Sequence, residues 1–184
     1  MRLYLIRHGE TKLNKEFKFI GATDVALSDR GLDQAKAVAE RLQGEKIKAI
    51  YSSDLIRARQ TADIISLACS VPVNLTSGLR EIDFGYWERL SYDEIDARYP
   101  DEFRAWRKDP AGIQIPGGET WEAFKKRVLS AVNSIIKSEK EGHIAVVSHG
   151  GPIKMLISHY KGGDIGIFRD FWPSPGSLNI VEIA

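Results

Sequence analysis

Two histidines each close an apolar run and each precede a glycine. His8, in Arg7-His8-Gly9-Glu10-Thr11, follows Leu3-Tyr4-Leu5-Ile6, and His149, in Ser148-His149-Gly150-Gly151, follows Ile144-Ala145-Val146-Val147. A neutral imidazole can attack phosphorus and carry the phosphoryl group covalently, while a fixed guanidinium beside it neutralises the phosphoryl oxygens. Arg7-His8 therefore suggests chemistry on phosphate. Either motif alone could equally be a histidine that satisfies backbone groups at a turn. The same order of strand, histidine and glycine twice in one chain argues for a shared site.

Two more residues fill the remaining roles. Arg57 follows Ser52-Ser53-Asp54 and falls in the first turn of a helix, where free N–H groups favour anions and a guanidinium adds a planar fork that matches phosphate. The alternative for Arg57 is a surface arginine in an intrahelical ion pair, which is the reading adopted for Arg59. Glu81, in Leu79-Arg80-Glu81-Ile82-Asp83-Phe84-Gly85, lies in a loop whose apolar neighbours would shield it and raise its carboxyl pKa. Hydrolysis of a phosphomonoester calls for an in-line nucleophile, cations for the equatorial oxygens and a proton for the departing alkoxide. His8, Arg7 with Arg57, and Glu81 are the candidates in that order. These residues by themselves leave open a metal held between His8 and His149.

The elements that position them alternate between strand and helix. The first run reads as a strand, with Gly9 allowing the turn after it. Leu32, Ala35, Ala39 and Leu42 recur at helical spacing after Ser28 as N-cap, with Gly44 as the stop. A strand over Ile47 to Tyr51, a helix opened by Ser52-Ser53-Asp54, and a short strand around Val71-Pro72-Val73 follow. A long helix from about Glu119 to Lys137 presents Phe124, Val128, Ala131, Val132 and Ile135 on one face. The strand before His149, a helix from Pro152 to about Tyr160 and a strand over Leu178 to Ile183 complete the pattern. It predicts an α/β fold, a three-layer α/β/α sandwich with a mainly parallel sheet, helices on both faces and a small inserted helical cap. In such sheets ligands bind at the carboxyl ends of the strands, where both histidines fall.

The 184 residues suit one domain over 1–184, with the cap at about 84–118, where short helical pieces rich in aromatic and charged residues are bounded by Pro100, Pro110 and Pro116-Gly117-Gly118. A formal net charge of +1 with interspersed signs gives no footprint for nucleic acid or an anionic membrane. The lone Cys69 excludes an internal disulfide and a cysteine metal cluster, and reads as a small core residue. The chain opens on a strand pattern without a leader and has no membrane-length apolar run, so a cytoplasmic protein is expected. His143 and His159 read as surface or core histidines, Trp106, Trp121 and Trp172 as core or cap packing ahead of ligand stacking, and Lys125, Lys126 and Arg127 as a solvated helix face; Glu10 could equally orient the site or serve the turn.

The ordered motifs resemble the histidine phosphatase superfamily, also called phosphoglycerate mutase-like, over nearly the whole chain. Leu5-Ile6-Arg7-His8-Gly9-Glu10-Thr11 with Asn14 is similar to the family's signature segment, continued by Gly21, Asp24, Leu27-Ser28, Gly31 and Gln34-Ala35. Ser52-Ser53-Asp54-Leu55 with Arg57-Ala58 and Thr61-Ala62 resembles its second arginine motif, Leu79-Arg80-Glu81 its acid motif, and Ser148-His149-Gly150-Gly151 its second histidine motif. The resemblance implies that His8 is phosphorylated, that Glu81 is the proton donor and later the base, and that Arg7, Arg57, His149 and Asn14 hold the phosphoryl group. Gly21 and Gly150 join the expected substrate-binding set. It also implies a reaction with no metal and no cofactor on a small-molecule phosphomonoester, and a homodimer is compatible with it.

Mutases of the family are longer, with an insertion and a tail that retain the phosphorylated intermediate, so hydrolysis is expected here. Arg80-Glu81-Ile82-Asp83-Phe84-Gly85-Tyr86-Trp87-Glu88, Tyr92-Asp93-Glu94-Ile95 and Pro116-Gly117-Gly118-Glu119-Thr120 look most like the α-ribazole-5′-phosphate phosphatases of cobalamin biosynthesis. Phosphoserine, sugar-phosphate and broad-specificity phosphatases carry similar segments, and a phosphoglycerate mutase or a binding module without turnover are the remaining alternatives. Phe84 and Trp87 offer apolar faces on which a heteroaromatic or sugar could rest. Ile20 stands before Gly21 where relatives usually have a polar residue, Arg89 stands where a glycine commonly follows Trp-Glu, and the 170–176 segment matches least well.

Overall fold

In the computed structural model, which describes residues 1–139, 141–162 and 171–183, five strands form one sheet in the order β3-β2-β4-β1-β5. The strands are β1 (Arg2–Arg7), β2 (Ile47–Ser53), β3 (Val73–Thr76), β4 (His143–Ser148) and β5 (Leu178–Glu182). β1 pairs in parallel with β4, β4 with β2 and β2 with β3, while β5 runs antiparallel along β1. The expected α/β fold with a mainly parallel sheet is what the chain adopts.

The alternation of β1 and β4 explains the layers, because both strands are apolar on both faces. Leu3, Leu5, Ile144 and Val146 pack against α6 (Trp121–Ser138) and α7 (Gly150–Tyr160) through Phe124, Val128, Val132, Ile153 and Leu156. Tyr4, Ile6, Ala145 and Val147 pack on the other face against α2 (Asp29–Leu42) and α3 (Ile56–Cys69) through Val38, Leu42, Ala58, Ala62 and Ile65. The same period of two that splits these apolar residues between faces carries the chain to Arg7 and His8 at the end of β1.

Several boundaries differ from the sequence-based expectation. β2 runs on through Ser53, and α3 starts at Ile56 instead of at Ser53-Asp54. Its N-cap position is Leu55, which has no capping side chain; the carboxylate of Asp24, far away in sequence, accepts the Ile56 N–H at 2.8 Å instead. α7 begins at Gly150, two residues before Pro152, so the turn after His149 is already helical. Gly9 is required by crowding, since a methyl group there would run into the backbone of Gly31.

Residues 85–108 form a 3₁₀ turn (Gly85–Trp87), α4 (Tyr92–Arg98) and α5 (Pro100–Lys108) around a separate apolar cluster of Phe19, Trp87, Ile95, Phe103 and Ile115. Phe19 is ringed by Phe84, Trp87, Tyr92, Phe103 and Trp106. Trp87 is fully buried there, which corrects the expectation that its face is open to a substrate. Arg89 has φ +64°, a left-handed conformation that an L side chain resists, which is the physical reason for the glycine expected at this place. Among the described residues no helix is long and apolar enough to cross a membrane.

Candidate active site

The carboxyl ends of β1, β2, β3 and β4 deliver Arg7 and His8, Ser53 and then Arg57, the loop with Glu81, and His149 to one end of the sheet. Arg7, His8, Arg57, Glu81 and His149 are all buried, Arg57 and His149 completely. Buried cations and titratable groups are rare unless they answer one another or a ligand.

His8 Nδ1 lies 2.7 Å from the Gly9 carbonyl, an acceptor only, so Nδ1 carries the proton and Nε2 keeps its lone pair. Burial, then Arg57 and Arg7, holds this imidazole well below its ordinary pKa, and it is neutral at physiological pH. The His149 ring stands edge-on to it at 5.1 Å. Arg57 Nε donates to His149 Nδ1 at 3.2 Å, which leaves the His149 proton on Nε2, 2.8 Å from Ser53 Oγ. His149 is likewise pushed well down by burial first and then by Arg57.

Arg57 is aimed by carbonyls. Nη1 donates to Thr23 O at 2.8 Å and Nη2 to Gly21 O at 2.9 Å. Burial lowers its pKa to about 10, so it stays charged at neutral pH. Arg7 Nη1 donates to Pro173 O at 2.6 Å, while its buried Nε finds no partner among the described residues. Two guanidiniums flanking a neutral imidazole, one with an unanswered buried donor, form a pocket for an anion.

Glu81 sits at the N-terminus of α7, where Oε2 accepts the Gly151 N–H at 2.9 Å and Oε1 accepts the Ile82 N–H at 3.0 Å. Burial outweighs these two donors and pushes its carboxyl pKa up. The carboxyl thus holds a proton to higher pH than an exposed glutamate.

Other candidates take different places. Asn14 is the third residue of α1 (Lys12–Lys15), and its Oδ1 accepts the Thr11 N–H at 3.1 Å in a capping box, so only its amide N–H groups remain as donors. Gly21 has both backbone groups engaged, its carbonyl by Arg57 and its N–H by Glu88 at 2.9 Å, so it aims Arg57 and has no free backbone donor for a ligand. Gly150 abuts Arg7 and Trp172, and a methyl group on it would stand 3.0 Å from the Trp172 ring, which would have to give way by a few tenths of an ångström. Of the two roles open to Glu10 its contacts match the turn, since it accepts from Ser28 Oγ through both its carbonyl and its carboxylate. Arg59 pairs with Asp63 in α3.

Three residues were missed or misread in the sequence. Glu88 gathers the N–H groups of Gly21, Ala22, Thr23 and Phe84 at 2.9–3.1 Å, fixing the loop whose carbonyls aim Arg57. Trp172 is not a packing residue: it is 57% exposed, with its ring 5.5 Å from the Arg7 guanidinium and 5.2 Å from Lys154 Nζ. Arg127 leaves the solvated face to pair with Glu119 and to donate to the loop of Glu81. Only the Trp-Glu and Gly-Gly-Glu segments could have hinted at Glu88 and Glu119. Among the described residues no three His, Cys, Asp or Glu side chains come together as a metal site.

Comparison with known proteins gives the family. The family model described as histidine phosphatase superfamily (branch 1) matches residues 3–184. Phosphoserine phosphatase 1 of Hydrogenobacter thermophilus is 31% identical over 183 residues, 100% of this chain and 87% of that protein. Phosphoglycerate mutase-like protein 4 of Arabidopsis thaliana is 41% identical over 162 residues, 86% of this chain and 70% of that protein. The solved α-ribazole phosphatase from Shigella flexneri matches with a TM-score of 0.91 and 28% identity, covering 100% of this chain and 91% of its own. The chain belongs to branch 1 of the histidine phosphatase superfamily, and its enzyme class is that of a phosphomonoesterase.

Proposed function

We propose that the protein hydrolyses a small-molecule phosphomonoester without a metal, through a phosphohistidine formed on His8. The observation that carries this reading is the neutral His8 imidazole, its Nδ1 proton committed to the Gly9 carbonyl and its Nε2 free, between two charged guanidiniums. Nε2 attacks phosphorus in line with the ester oxygen, Arg7 and Arg57 neutralise the equatorial oxygens, and Glu81 gives its proton to the departing alkoxide. In the second step the Glu81 carboxylate takes a proton from water as that water attacks the phosphohistidine, which frees phosphate and restores both groups. His149 fits a supporting role, holding Arg57 Nε and donating from Nε2. Asn14 would add an amide donor. A dication between His8 and His149 would face Arg7 and Arg57, which supports the metal-independent route.

For the substrate we favour α-ribazole 5′-phosphate, with phosphoserine, sugar phosphates or a broad range of esters as the alternative. The likeness to the Shigella flexneri α-ribazole phosphatase supports it, and the exposed Trp172 ring beside Arg7 fits a heteroaromatic leaving group better than the buried Trp87. The test is release of inorganic phosphate in excess EDTA from α-ribazole 5′-phosphate, phosphoserine, phosphoglycerates and sugar phosphates, with His8→Ala as the blank. Strong preference for the ribazole ester is expected. Release abolished by EDTA would overturn the metal-independent mechanism, and transfer of phosphate between phosphoglycerate positions in place of release would make the protein a mutase.

A further inference from the structure

The loop that carries Glu81 is held from outside the phosphate pocket. After β3 the chain makes one 3₁₀ turn, Ser77–Leu79, and the carbonyls of Gly78, Arg80 and Glu81 then face α6. Arg127, in the second turn of α6, answers all three: Nη1 donates to Gly78 O at 3.1 Å and Arg80 O at 3.0 Å, and Nη2 to Glu81 O at 3.3 Å. The same guanidinium pairs in bidentate fashion with Glu119, Nε to Oε1 at 3.0 Å and Nη2 to Oε2 at 2.7 Å. Glu119 is itself tied to the far side of the loop, its N–H donating to Asp83 O at 3.0 Å. The Arg127–Glu119 pair thus grips the main chain before and after Glu81.

Two features separate this unit from an ordinary surface ion pair. Both side chains are largely covered, 27% exposed for Arg127 and 18% for Glu119, and the planar fork is in contact with six acceptor atoms, the sixth being Ser77 O at 3.4 Å. Arg127 also reaches Glu81 through its carbonyl and not its carboxylate, so it acts on where the acid stands. Phe124, over whose ring the Arg127 guanidinium lies at 5.5 Å, carries the contact on toward Gly151, the donor that holds the Glu81 carboxylate.

We propose that Arg127, braced by Glu119, is a positioning residue for proton transfer from Glu81; this rests on the reading of Glu81 as the proton donor. A residue that works through the acid shares the acid's dependence on the leaving group. The experiment compares kcat/KM of Arg127→Met on an alkyl phosphate and on p-nitrophenyl phosphate, alone and combined with Glu81→Gln. The expected result is a loss of about 100-fold on the alkyl ester, the scale of a displacement near 1 Å, against less than about threefold on the nitrophenyl ester, whose leaving group scarcely wants a proton. In the Glu81→Gln background the further loss should vanish.

Equal losses on the two esters, no loss on the alkyl ester, or losses that multiply in the double variant overturn the proposal. If Arg127→Met does not fold, Glu119→Gln decides, because it keeps the arginine and weakens its brace; the same leaving-group split, smaller in size, is expected. Failure of the underlying reading is seen separately: Glu81→Gln alone would then lose activity equally on both esters.

Discussion

Gly151→Ala isolates the placement of the acid from the stability of the fold. Gly151 is the second residue of α7, and its N–H holds Glu81 Oε2. A methyl carbon built on it would stand 2.3 Å from Glu81 Oε1 and 3.4 Å from Phe124 Cζ. The ring is at ordinary contact, so the carboxylate must move, by about 1 Å, to restore a normal carbon–oxygen separation. A shift of that size at a reacting group costs on the order of 100-fold, or about 2.7 kcal/mol of barrier. Alanine favours a helix over glycine by up to about 1 kcal/mol, so the melting temperature should hold or rise slightly. The assay is kcat/KM over a series of esters from alkyl to nitrophenyl phosphate. The loss should grow as the leaving group becomes more basic, about 100-fold for the alkyl ester and a few-fold for the nitrophenyl ester. Equal losses across the series, or a melting temperature that falls by more than a few degrees, would refute the reasoning that Gly151 is small in order to seat the acid.

The pH profile carries two signs: His8 must be neutral, so activity rises as pH climbs through its depressed pKa, and Glu81 must be protonated, so activity falls as pH climbs through its raised pKa. The falling limb should fade for p-nitrophenyl phosphate, and its persistence there would assign it to another group. Stability follows the buried histidines, whose folded pKa values lie below the unfolded one: their contribution is present above about pH 6.5 and is lost as pH falls, so chemical denaturation should show a decline on acidification that His149→Phe reduces. Arg57→Lys should lower kcat/KM by roughly 100-fold or more, equally for alkyl and nitrophenyl esters, since a point charge replaces a fork held by Gly21 O, Thr23 O and His149; a nearly unchanged value would leave Arg57 structural. Arg89→Gly should raise stability by roughly 0.5–1 kcal/mol in urea denaturation by relieving the left-handed conformation, with activity unchanged.

Burying Arg7 and Arg57 beside two neutral histidines is not a route to a stable fold, since each charge gives up its hydration. The structure compensates with backbone carbonyls from Gly21, Thr23 and Pro173. Those carbonyls lie on loops held in turn by Glu88 and by the last turn before β5.

The sequence by itself determined the layers and the cast. A run such as Leu3-Tyr4-Leu5-Ile6, apolar at every position, can bury both faces only in a central strand, and the helical period after Ser28 admits only one covering face. His8, Arg57, Glu81 and His149 were legible because their local frames, strand then turn or helix start, are short-range properties. Tertiary structure decided what those groups meet. No spacing rule links Glu88 to the N–H groups of residues 21–23, Arg127 to the carbonyls of 78–81, or Asp24 to the start of α3, because each contact joins segments that are distant in sequence and meet only through strand order. The same holds for the two tryptophans. Trp87 and Trp172 are chemically alike in the sequence, yet one is sealed in the aromatic cluster of residues 85–108 and the other lies open over Arg7. Burial is a property of what surrounds a side chain, and only the packed chain supplies that.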